Sequence, residues 1–393
     1  MARGLDRRAM AGVSLGHLAA DLAQGALPAL LVFLKPALHL TYTMTAGVVL
    51  VATATSSLAQ PFFGHWSDRH RAVWLMPVGV AVGGTGIALA AVAPTYGLVL
   101  VLIGVSGLGI GAFHPEGMKI AAHASGARRA SGMALFATGG NVGFALGPLL
   151  ANGAISPLGL DGGLFLVVPG LLVAAFLVVE HGHLAHVRGA RAGAAHEATA
   201  TDMTSAFKRL LVVIALRSVA YYGLFTFVPL WEVSRGHSKS YGNTLLSLVL
   251  LAGVAGTLCA GPLADRIGRR LVVLASLMLT PGLVLVYVFV GGVPGAIAVC
   301  AAGAVIVSTF GVTIVMSQEY LPSRVAMASG MSVGLATGLG GVAAVVLGAV
   351  ADAVDLRAAL IGTAIGPAFG VLVAAGLPRD RLRRHVEPAA LAD

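Results

Sequence analysis

The chain has 393 residues, of which 57% are hydrophobic and only 10% are charged, and its mean hydropathy is +0.90. Soluble globular domains carry about 25% charged residues, so this composition excludes a water-exposed surface over most of the protein. The formal net charge of +9 would suit nucleic-acid binding only if the basic residues were clustered on one soluble surface.

Twelve continuous apolar segments follow one another along the chain. Each is long enough to cross a hydrocarbon core of about 30 Å as a helix of ~20 residues. They cover approximately residues 11–34, 43–63, 72–93, 96–123, 131–153, 162–180, 209–231, 242–261, 271–291, 295–317, 326–350 and 356–377. Because the apolar residues run continuously and do not alternate, we predict helices and not barrel strands. The fold class is therefore an all-α polytopic membrane protein with twelve transmembrane helices.

The basic residues indicate the orientation of these helices. Twelve spans place both termini on one side of the membrane. On this topology 20 of the 25 Lys and Arg residues fall on the side of the termini, four fall on the other side, and Arg217 lies inside a span. The positive-inside rule then places both termini in the cytoplasm, and we expect a bacterial inner-membrane protein. The positive charge is thus a sign of orientation, and we expect no nucleic-acid partner.

A polar stretch rich in Gly, Ala, His and Arg divides the spans into two sets of six. The predicted organisation is an N-terminal six-helix bundle over 1–180, a flexible cytoplasmic linker over 181–208, a C-terminal six-helix bundle over 209–377 and a cytoplasmic tail over 378–393. We expect a monomer that works within the lipid bilayer.

The two halves repeat each other in sequence. The segment Gly64-His-Trp-Ser-Asp68-Arg69 corresponds to Gly261-Pro-Leu-Ala-Asp265-Arg266, and Ala130-Ser-Gly-Met133 corresponds to Ala328-Ser-Gly-Met331, at offsets of 197 and 198 residues. Two matches in nearly the same register indicate two six-helix pseudo-repeats. Such parallel repeats are typical of alternating-access carriers, whose site lies between the halves near the middle of the membrane.

The repeated loop carries five charged residues to which we assign a structural or gating role: Asp68, Arg69, Asp265, Arg266 and Arg270. A carboxylate that closes a short turn between helices can accept hydrogen bonds from a helix N-terminus. The run from Gly261 to Arg270 is similar to the loop signature of the major facilitator superfamily. This resemblance covers essentially the whole chain and implies the major facilitator fold and transport of a small molecule.

The first span contains three polar residues on one helix face, namely His17, Asp21 and Gln24, spaced i, i+4 and i+7. Charged residues at membrane depth cost roughly 2.5–3.5 kcal/mol on insertion scales, so each requires a reason. We interpret Asp21 and His17 as proton-coupling residues and Gln24 as a substrate ligand. The alternative is a permanent interhelical contact.

The fourth span contains His114, Glu116 and Lys119 around Pro115. We assign His114 and Glu116 to proton coupling and Lys119 to substrate binding. The alternative is mutual neutralisation of Glu116 and Lys119, since residues at i and i+3 are neighbours on a helix.

Arg217 lies in the seventh span at nearly the level that the repeat assigns to Asp21. A guanidinium does not deprotonate in proteins, so it must face a partner or a wet cavity. Its partner is predicted to be Asp21 or the anionic group of a substrate. Tyr221 and Tyr222 follow one turn later and are further candidates for substrate binding.

The fifth span contains Gly147-Pro148, with Asn141 two turns earlier. Its glycines permit close helix packing. The segment is similar to the antiporter motif of superfamily exporters, with Ala151 in place of a glycine, which favours efflux. We assign Gly147 and Pro148 a structural or gating role and Asn141 a role in substrate binding.

Three further segments resemble the fosmidomycin resistance branch of the superfamily: Phe113-His114-Pro115-Glu116-Gly117, Gly139-Gly140-Asn141-Val-Gly143 and Leu216-Arg217-Ser218 with the following Tyr221 and Gly223. This resemblance implies proton-coupled export of a small molecule, with an anionic phosphonate antibiotic as the namesake substrate. The alternatives are a symporter that imports an organic anion or sugar, and an exporter of a metal or metalloid. No P-loop is present, so we expect transport that is not driven by ATP. The glycine run from Gly107 to Gly111 lies inside a span with no strand before it, so we expect no enzyme, and we also expect no resident metal and no cofactor beyond the proton gradient.

Overall fold

The computed structural model describes residues 4–70, 72–126, 129–189 and 202–379, without the side chains at 68, 129–131, 325 and 326. These residues form thirteen α-helices joined by short turns. The helices are α1 Arg7–Ala37, α2 Tyr42–His70, α3 Leu75–Ala91, α4 Tyr96–Ala124, α5 Arg129–Leu158, α6 Val167–Val179, α7 His181–Gly189, α8 Thr204–Ser234, α9 Lys239–Ile267, α10 Arg269–Val290, α11 Gly292–Tyr320, α12 Val325–Ala353 and α13 Leu356–Ala375. Short 3-10 helices cover Gly159–Leu166 and Pro322–Arg324.

The all-helical fold class is confirmed, and twelve of these helices overlap the twelve predicted spans. Ten apolar helical runs are long enough to cross a membrane, and α3, with 17 residues, is shorter. One of the ten runs is 48 residues long and contains both α5 and α6, which are two of the predicted spans. The ten runs and α3 therefore correspond to twelve spans. The run of α5 and α6 is divided by the 3-10 helix that begins at Gly159, whose φ of +66° is accessible to glycine.

The helices extend beyond the predicted spans because hydropathy reports the apolar stretch, whereas helical hydrogen bonding continues to the nearest cap. Asp6 accepts a hydrogen bond from the Ala9 amide and starts α1. Thr95, Ser238 and Asp355 cap α4, α9 and α13 in the same way.

The prediction of a flexible linker over 181–208 is wrong for its first nine residues, which form α7, and for residues 204–208, which begin α8. The sequence shows little apolar periodicity there, and α7 is stabilised by side-chain pairs with the N-terminal half. Residues 190–201 of the linker and 380–393 of the tail lie outside the described residues.

The most buried membrane helices are those that the sequence repeat relates to one another. The buried share of the apolar segment is 72% for α1 and 67% for α8, the first and seventh spans, and 50% for α4 and 56% for α11, the fourth and tenth. Polar residues that would be costly in lipid lie on these four helices, which places them in the centre of the molecule.

The two halves meet on the far side of the protein, opposite the termini. On α12, Asp352, Gly348 and Gly341 lie on one helix face, and that face contacts α2. The Asp352 carboxylate accepts hydrogen bonds from the amides of Tyr42 and Thr43, both at 2.8 Å, and from the Thr43 hydroxyl at 2.6 Å. A Cβ built at Gly348 would lie 2.8 Å from the Tyr42 carbonyl oxygen.

The same face of α12 loses this contact toward the termini. Gly334 and Gly330 lie on the same face, two and three turns from Gly341 toward the termini. No described atom lies within 4 Å of a Cβ built at either position. A second contact between the halves, from Asn152 of α5 to Ser240 of α9 at 2.9 Å, is also on the far side. The hydrogen bonds that join the halves within the described part of the chain therefore lie on the far side, and the halves are closed there.

Replacing Asp352 with alanine is expected to open the far side. The carboxylate of one half caps the first helical turn of α2 in the other half, and loss of such a cap costs about 0.5–2 kcal/mol. The population open on the far side should rise roughly 2- to 30-fold, measured as the distance between spin labels at His39 and Val293 in a cysteine-free background. Asp355→Ala is the control, because Asp355 caps α13 within its own half. An unchanged distance distribution in Asp352→Ala would contradict this role.

Candidate functional site

Two helices of the N-terminal half form a polar cluster in the middle of the protein. His17 Nε2 lies 3.2 Å from Asp21 Oδ2, one turn away on α1, and His114 Nε2 from α4 lies 3.3 Å from Asp21 Oδ1. The side chains retain 12–15% exposure, so the cluster is enclosed without being sealed. The structure thus brings together three of the four residues predicted to take part in proton coupling.

Backbone carbonyls fix the orientation of both imidazoles. His17 Nδ1 lies 2.8 Å from the carbonyl oxygen of Phe136 on α5, and His114 Nδ1 lies 2.8 Å from that of Ile110. A carbonyl only accepts, so each Nδ1 carries the hydrogen, and in the neutral ring each Nε2 directs a lone pair at Asp21. Two nitrogen lone pairs and a carboxylate then converge, and either a proton on Nε2 or a bound cation can stabilise them.

The cluster lies against the backbone of α5, which packs on α1 through glycines. A Cβ built at Gly140 would lie 2.6 Å from Asp21 Oδ2 and would overlap the His17 ring. At Gly143 it would overlap the Leu18 carbonyl oxygen, and at Gly147 it would overlap the Ala26 amide. The predicted structural role of Gly147 therefore has a contact that explains it: these glycines let α5 reach α1 at backbone distance.

The second central feature is a buried cation in the C-terminal half. Arg217 of α8 is 3% exposed, and its Nη1 donates to the hydroxyls of Thr309 and Thr313 on α11 at 3.0 and 3.3 Å. The guanidinium carbon lies 4.0 Å from the centre of the Phe310 ring. Its buried Nε has no hydrogen-bond partner among the described residues.

Aromatic rings adjoin this guanidinium on the side of α8. The Tyr221 ring lies 5.2 Å from Phe310 and 5.0 Å from Tyr222, and it stacks parallel to Phe225 at 6.1 Å. Phe225 in turn stacks at 5.0 Å on Phe144 of α5, in the other half. The predicted grouping of Arg217 with both tyrosines is thus observed, at the seam between the halves.

The predicted ion pair between Asp21 and Arg217 is not formed. In this conformation Asp21 is paired with two histidines of its own half, and Arg217 is held by two threonines and a ring of its own half. Each of the two charged groups therefore contacts residues of its own half, and the partner of Arg217 that remains from the prediction is the anionic group of a substrate.

Glu116 and Lys119 lie apart from the central cluster, toward the termini. The Glu116 side chain is fully buried and accepts hydrogen bonds from Arg188 Nε of α7 at 2.8 Å and from the Ser67 hydroxyl of α2. Lys119 donates to the same hydroxyl at 3.1 Å and to the Gly64 carbonyl at 3.0 Å. The structure gives Glu116 an ion-pair partner on α7, Arg188, which the alternative of mutual neutralisation with Lys119 did not include.

Two more pairs dock α7 and its start onto the N-terminus. Glu180 accepts two hydrogen bonds from Arg8, at 2.7 and 3.0 Å, and His183 lies 3.1 Å from Asp6. The Arg8 hydrogen bonds lower the pKa of Glu180 below its usual range. A carboxyl with a lowered pKa stabilises the fold above its unfolded pKa, and this contribution is lost as the pH falls through the folded value.

Replacing Arg188 with glutamine is expected to destabilise the protein strongly, because it leaves the buried Glu116 carboxylate without its ion-pair partner. Breaking such a buried pair costs about 3–5 kcal/mol, which a lowered thermal midpoint in detergent would report. The double variant Arg188→Gln/Glu116→Gln should recover much of the loss. Arg8→Gln is the matched control, because Arg8 is 65% exposed and surface pairs contribute little. Equal midpoints for Arg188→Gln and Arg8→Gln would refute the role of the buried pair.

The comparisons with known proteins agree with this architecture. The family model described as Major Facilitator Superfamily matches residues 13–345. The chain belongs to the Major Facilitator Superfamily.

Two relatives within the superfamily match the chain over nearly its full length. An uncharacterised MFS-type transporter, YfnC, of Bacillus subtilis (strain 168) is 33% identical over 389 residues, covering 95% of this chain and 93% of the relative. The fosmidomycin resistance protein of Escherichia coli (strain K12) is 30% identical over 373 residues, covering 92% and 91%. The predicted resemblance to this branch is confirmed, and the chain is a transporter and not an enzyme.

Solved structures show the same fold. A bacterial homologue of the human lysosomal transporter Spinster, in an inward-facing and occupied conformation, superposes with a TM-score of 0.75 at 13% identity, covering 95% of this chain and 97% of that one. A mutant form of the nucleoside transporter NupG gives 0.71 at 13% identity, covering 94% and 99%.

The superfamily loop signature differs from its predicted arrangement. Asp265 lies in the last turn of α9, 75% exposed and 3.9 Å from Arg269, and the turn itself is made by Gly268. The N-terminus of α10 has no side-chain cap, so the predicted cap by Asp265 is wrong. Arg266 is exposed, whereas Arg270 donates to the Ala375 carbonyl at 2.6 Å and ties α10 to α13.

The remaining predicted residues of this superfamily member lie where the sequence placed them. Arg69 is exposed in the last turn of α2, and the Asp68 side chain lies outside the described residues. Gln24 and Asn141 are half-buried on α1 and α5, and α5 continues as a helix through Pro148. Their roles in binding and gating stay predictions.

Sequence reasoning missed four residues that complete the two sites. They are Thr309, Phe310 and Thr313 around Arg217, and Arg188 against Glu116. The two threonines, spaced i and i+4 in a central apolar helix, are a weak signal that could have been used. Arg188 carries no such signal, because its partner is 72 residues away.

Proposed function

We propose that this transporter exports a small organic anion from the cytoplasm across the bacterial inner membrane, in exchange for protons. The anion binds at Arg217 in the seam between the halves. Tyr221 and Tyr222 line the same binding site. Fosmidomycin is the first candidate solute.

The observation that carries this proposal is the incomplete coordination of a buried cation. Arg217 is buried, its charge is permanent, and among the described residues it forms no ion pair. Nη1 is used by the two threonines, which hold the guanidinium in place, and on the other edge Nε has no hydrogen-bond partner among the described residues. That edge, formed by Nε and Nη2, has the geometry that carboxylates and phosphonates accept in a bidentate fashion.

The conformation supports loading from the side of the termini. The described hydrogen bonds between the halves lie on the opposite side, and Gly330 and Gly334 of α12 have no described neighbour toward the termini. The excess of Lys and Arg residues on the side of the termini favours the cytoplasm under the positive-inside rule. An exporter must bind its solute from the cytoplasm, so an open cytoplasmic side is the state that receives cargo. The relative from Escherichia coli is named for resistance to fosmidomycin, which also favours export.

The proposed cycle uses a rocking motion around the fixed site. Binding of the anion neutralises Arg217, and the halves then close on the cytoplasmic side as the contacts of Asp352 and Asn152 break on the far side. Protons entering from outside supply the energy for the exchange. The assignment of the coupling proton to Asp21 stays a prediction of the sequence.

The test uses everted vesicles energised to an acidic interior and containing this protein. Addition of fosmidomycin outside should release protons from the lumen and load the solute, and nigericin, which collapses the pH gradient, should abolish the loading. Vesicles without the protein are the control. Solute that instead leaves preloaded vesicles together with protons would indicate a symporter and contradict export. Absence of any flux with folded protein would contradict the proposed anion.

A further inference from the structure

We propose that His17, Asp21 and His114 bind a divalent transition-metal ion of the zinc, cobalt and nickel class. The inference goes beyond the proposed function, because the metal site is distinct from the anion site at Arg217. The sequence predicted no metal here, since His114 lies 93 residues from Asp21 and only folding brings them together.

The donor atoms lie close enough together for one metal ion to draw them into its coordination shell. Zinc binds imidazole nitrogen at about 2.0–2.1 Å and carboxylate oxygen at about 2.0–2.2 Å, so two ligands of a tetrahedral site lie about 3.3 Å apart. His17 Nε2 lies 3.2 Å from Asp21 Oδ2 and His114 Nε2 lies 3.3 Å from Asp21 Oδ1, so each imidazole is at this separation from one oxygen of the carboxylate. One ligand atom from each residue lies within 4.8 Å of the others.

The orientation of both rings is that of metal ligands. Histidines that bind metals commonly donate their other ring hydrogen to a carbonyl or carboxylate, which fixes the tautomer and points the lone pair at the ion. His17 and His114 both do so, through Phe136 and Ile110. The carbonyl of Phe136 belongs to α5, so the metal-facing orientation of His17 depends on the packing of α5 against α1.

The chemistry of the donors selects the class of ion. Two imidazoles and one carboxylate suit zinc, cobalt or nickel, whereas magnesium and calcium require more oxygen ligands. The negative charge of the carboxylate also offsets part of the charge of a divalent ion, which lowers the free-energy cost of burying the ion at membrane depth. Three protein ligands with 12–15% residual exposure leave a coordination position open, as in exchangeable sites and unlike closed structural ones.

A bound ion would join α1 to α4, and through His17 it would also hold α5. We therefore expect the metal to stabilise the N-terminal half. Gly140 leaves the space beside the donors, since a Cβ there would lie 2.6 Å from Asp21 Oδ2. Gly140→Ala should weaken metal binding while all three ligands are retained.

The test is binding of zinc and cobalt to the purified full chain, treated with chelator and carrying no polyhistidine tag. Calorimetry should show one zinc per chain, and cobalt should give the visible absorption of a low-coordinate site. Zinc should raise the thermal midpoint of the wild type. His17→Gln and His114→Gln should each lower the affinity by about 10-fold or more and remove the shift. His39→Gln, in an exposed turn, is the control and should leave binding unchanged.

Two results would overturn the proposal. One is absence of zinc binding to folded wild-type protein up to about 1 mM, an affinity weaker than about −4 kcal/mol. The other is zinc binding that is equal in the wild type, His17→Gln and His114→Gln, which would place the ion on other histidines. Because binding is measured without solute or gradient, failure here leaves the proposed export intact, and failure of export leaves the metal site intact.

Discussion

Replacing Arg217 with methionine should abolish solute transport and at the same time make the protein more stable. The guanidinium is buried against two hydroxyls and a phenyl ring, without a carboxylate among the described residues. Burial of a charge without an anionic partner is costly, and apolar replacements of buried charges commonly stabilise by about 1–4 kcal/mol. Proteins commonly retain a residue that lowers stability where function requires that residue.

The loss of transport follows from the same geometry. A charge-assisted bidentate contact with an anion contributes roughly 1.5–3 kcal/mol or more, so transport efficiency should fall by about 10- to 100-fold or beyond detection. Arg217→Lys retains the charge without the planar fork and should also be impaired. Initial rates in vesicles and thermal midpoints in detergent measure the two effects separately.

Arg209→Met is the matched control for this prediction. Arg209 lies two turns earlier on α8, is exposed, and donates to the Gly376 carbonyl at 2.8 Å near the termini. Its replacement should leave transport nearly unchanged. A lower thermal midpoint in Arg217→Met would show that Arg217 stabilises the fold. Normal transport would show that Arg217 does not bind the solute.

Gly143→Ala should prevent the N-terminal half from folding normally. A Cβ at this position would overlap the Leu18 carbonyl oxygen and come within 2.8 Å of the Leu18 Cα, so a backbone and not a flexible side chain would have to move. Overpacking of this kind costs about 1–3 kcal/mol or more. It would also separate α5 from α1 and release the Phe136 carbonyl from His17. We expect a low yield of monodisperse protein and a lowered thermal midpoint.

The same helix provides the control. Gly153 of α5 has no described atom within 4 Å of a built Cβ. Alanine there should be neutral or stabilising by about 0.5–1 kcal/mol, because glycine weakens a helix interior. Equal stability of Gly143→Ala and Gly153→Ala would refute the backbone contact between α1 and α5.

The helical architecture could be predicted because lipid makes composition informative. A span must be apolar and must satisfy its own backbone hydrogen bonds, so its position is visible in local sequence. The one difference in this respect is α7, a short polar helix. It is stabilised by Arg188, Glu180 and His183 through partners elsewhere in the chain, and local composition does not record such partners.

The central charged residues of the candidate sites were predictable, whereas their partners were not. Asp21, His114 and Arg217 were identifiable because charged residues at membrane depth are costly and therefore require a reason. Helical spacing placed His17 beside Asp21. Spacing within one helix cannot tell which residues of another helix face it. Arg217 was therefore one of two partners considered for this pairing, and the pairing of Asp21 with His114 was not foreseen.

The sequence by itself determined the membrane class, the twelve spans and their two related halves, because each depends on local hydropathy or on internal repetition. Only the tertiary structure decided that Glu116 pairs with Arg188 and that Arg217 rests on threonines of α11. It also decided that the halves are closed opposite the termini. The physical reason is that packing between helices depends on rotation, tilt and backbone approach, which glycines such as Gly143 permit without revealing their partner.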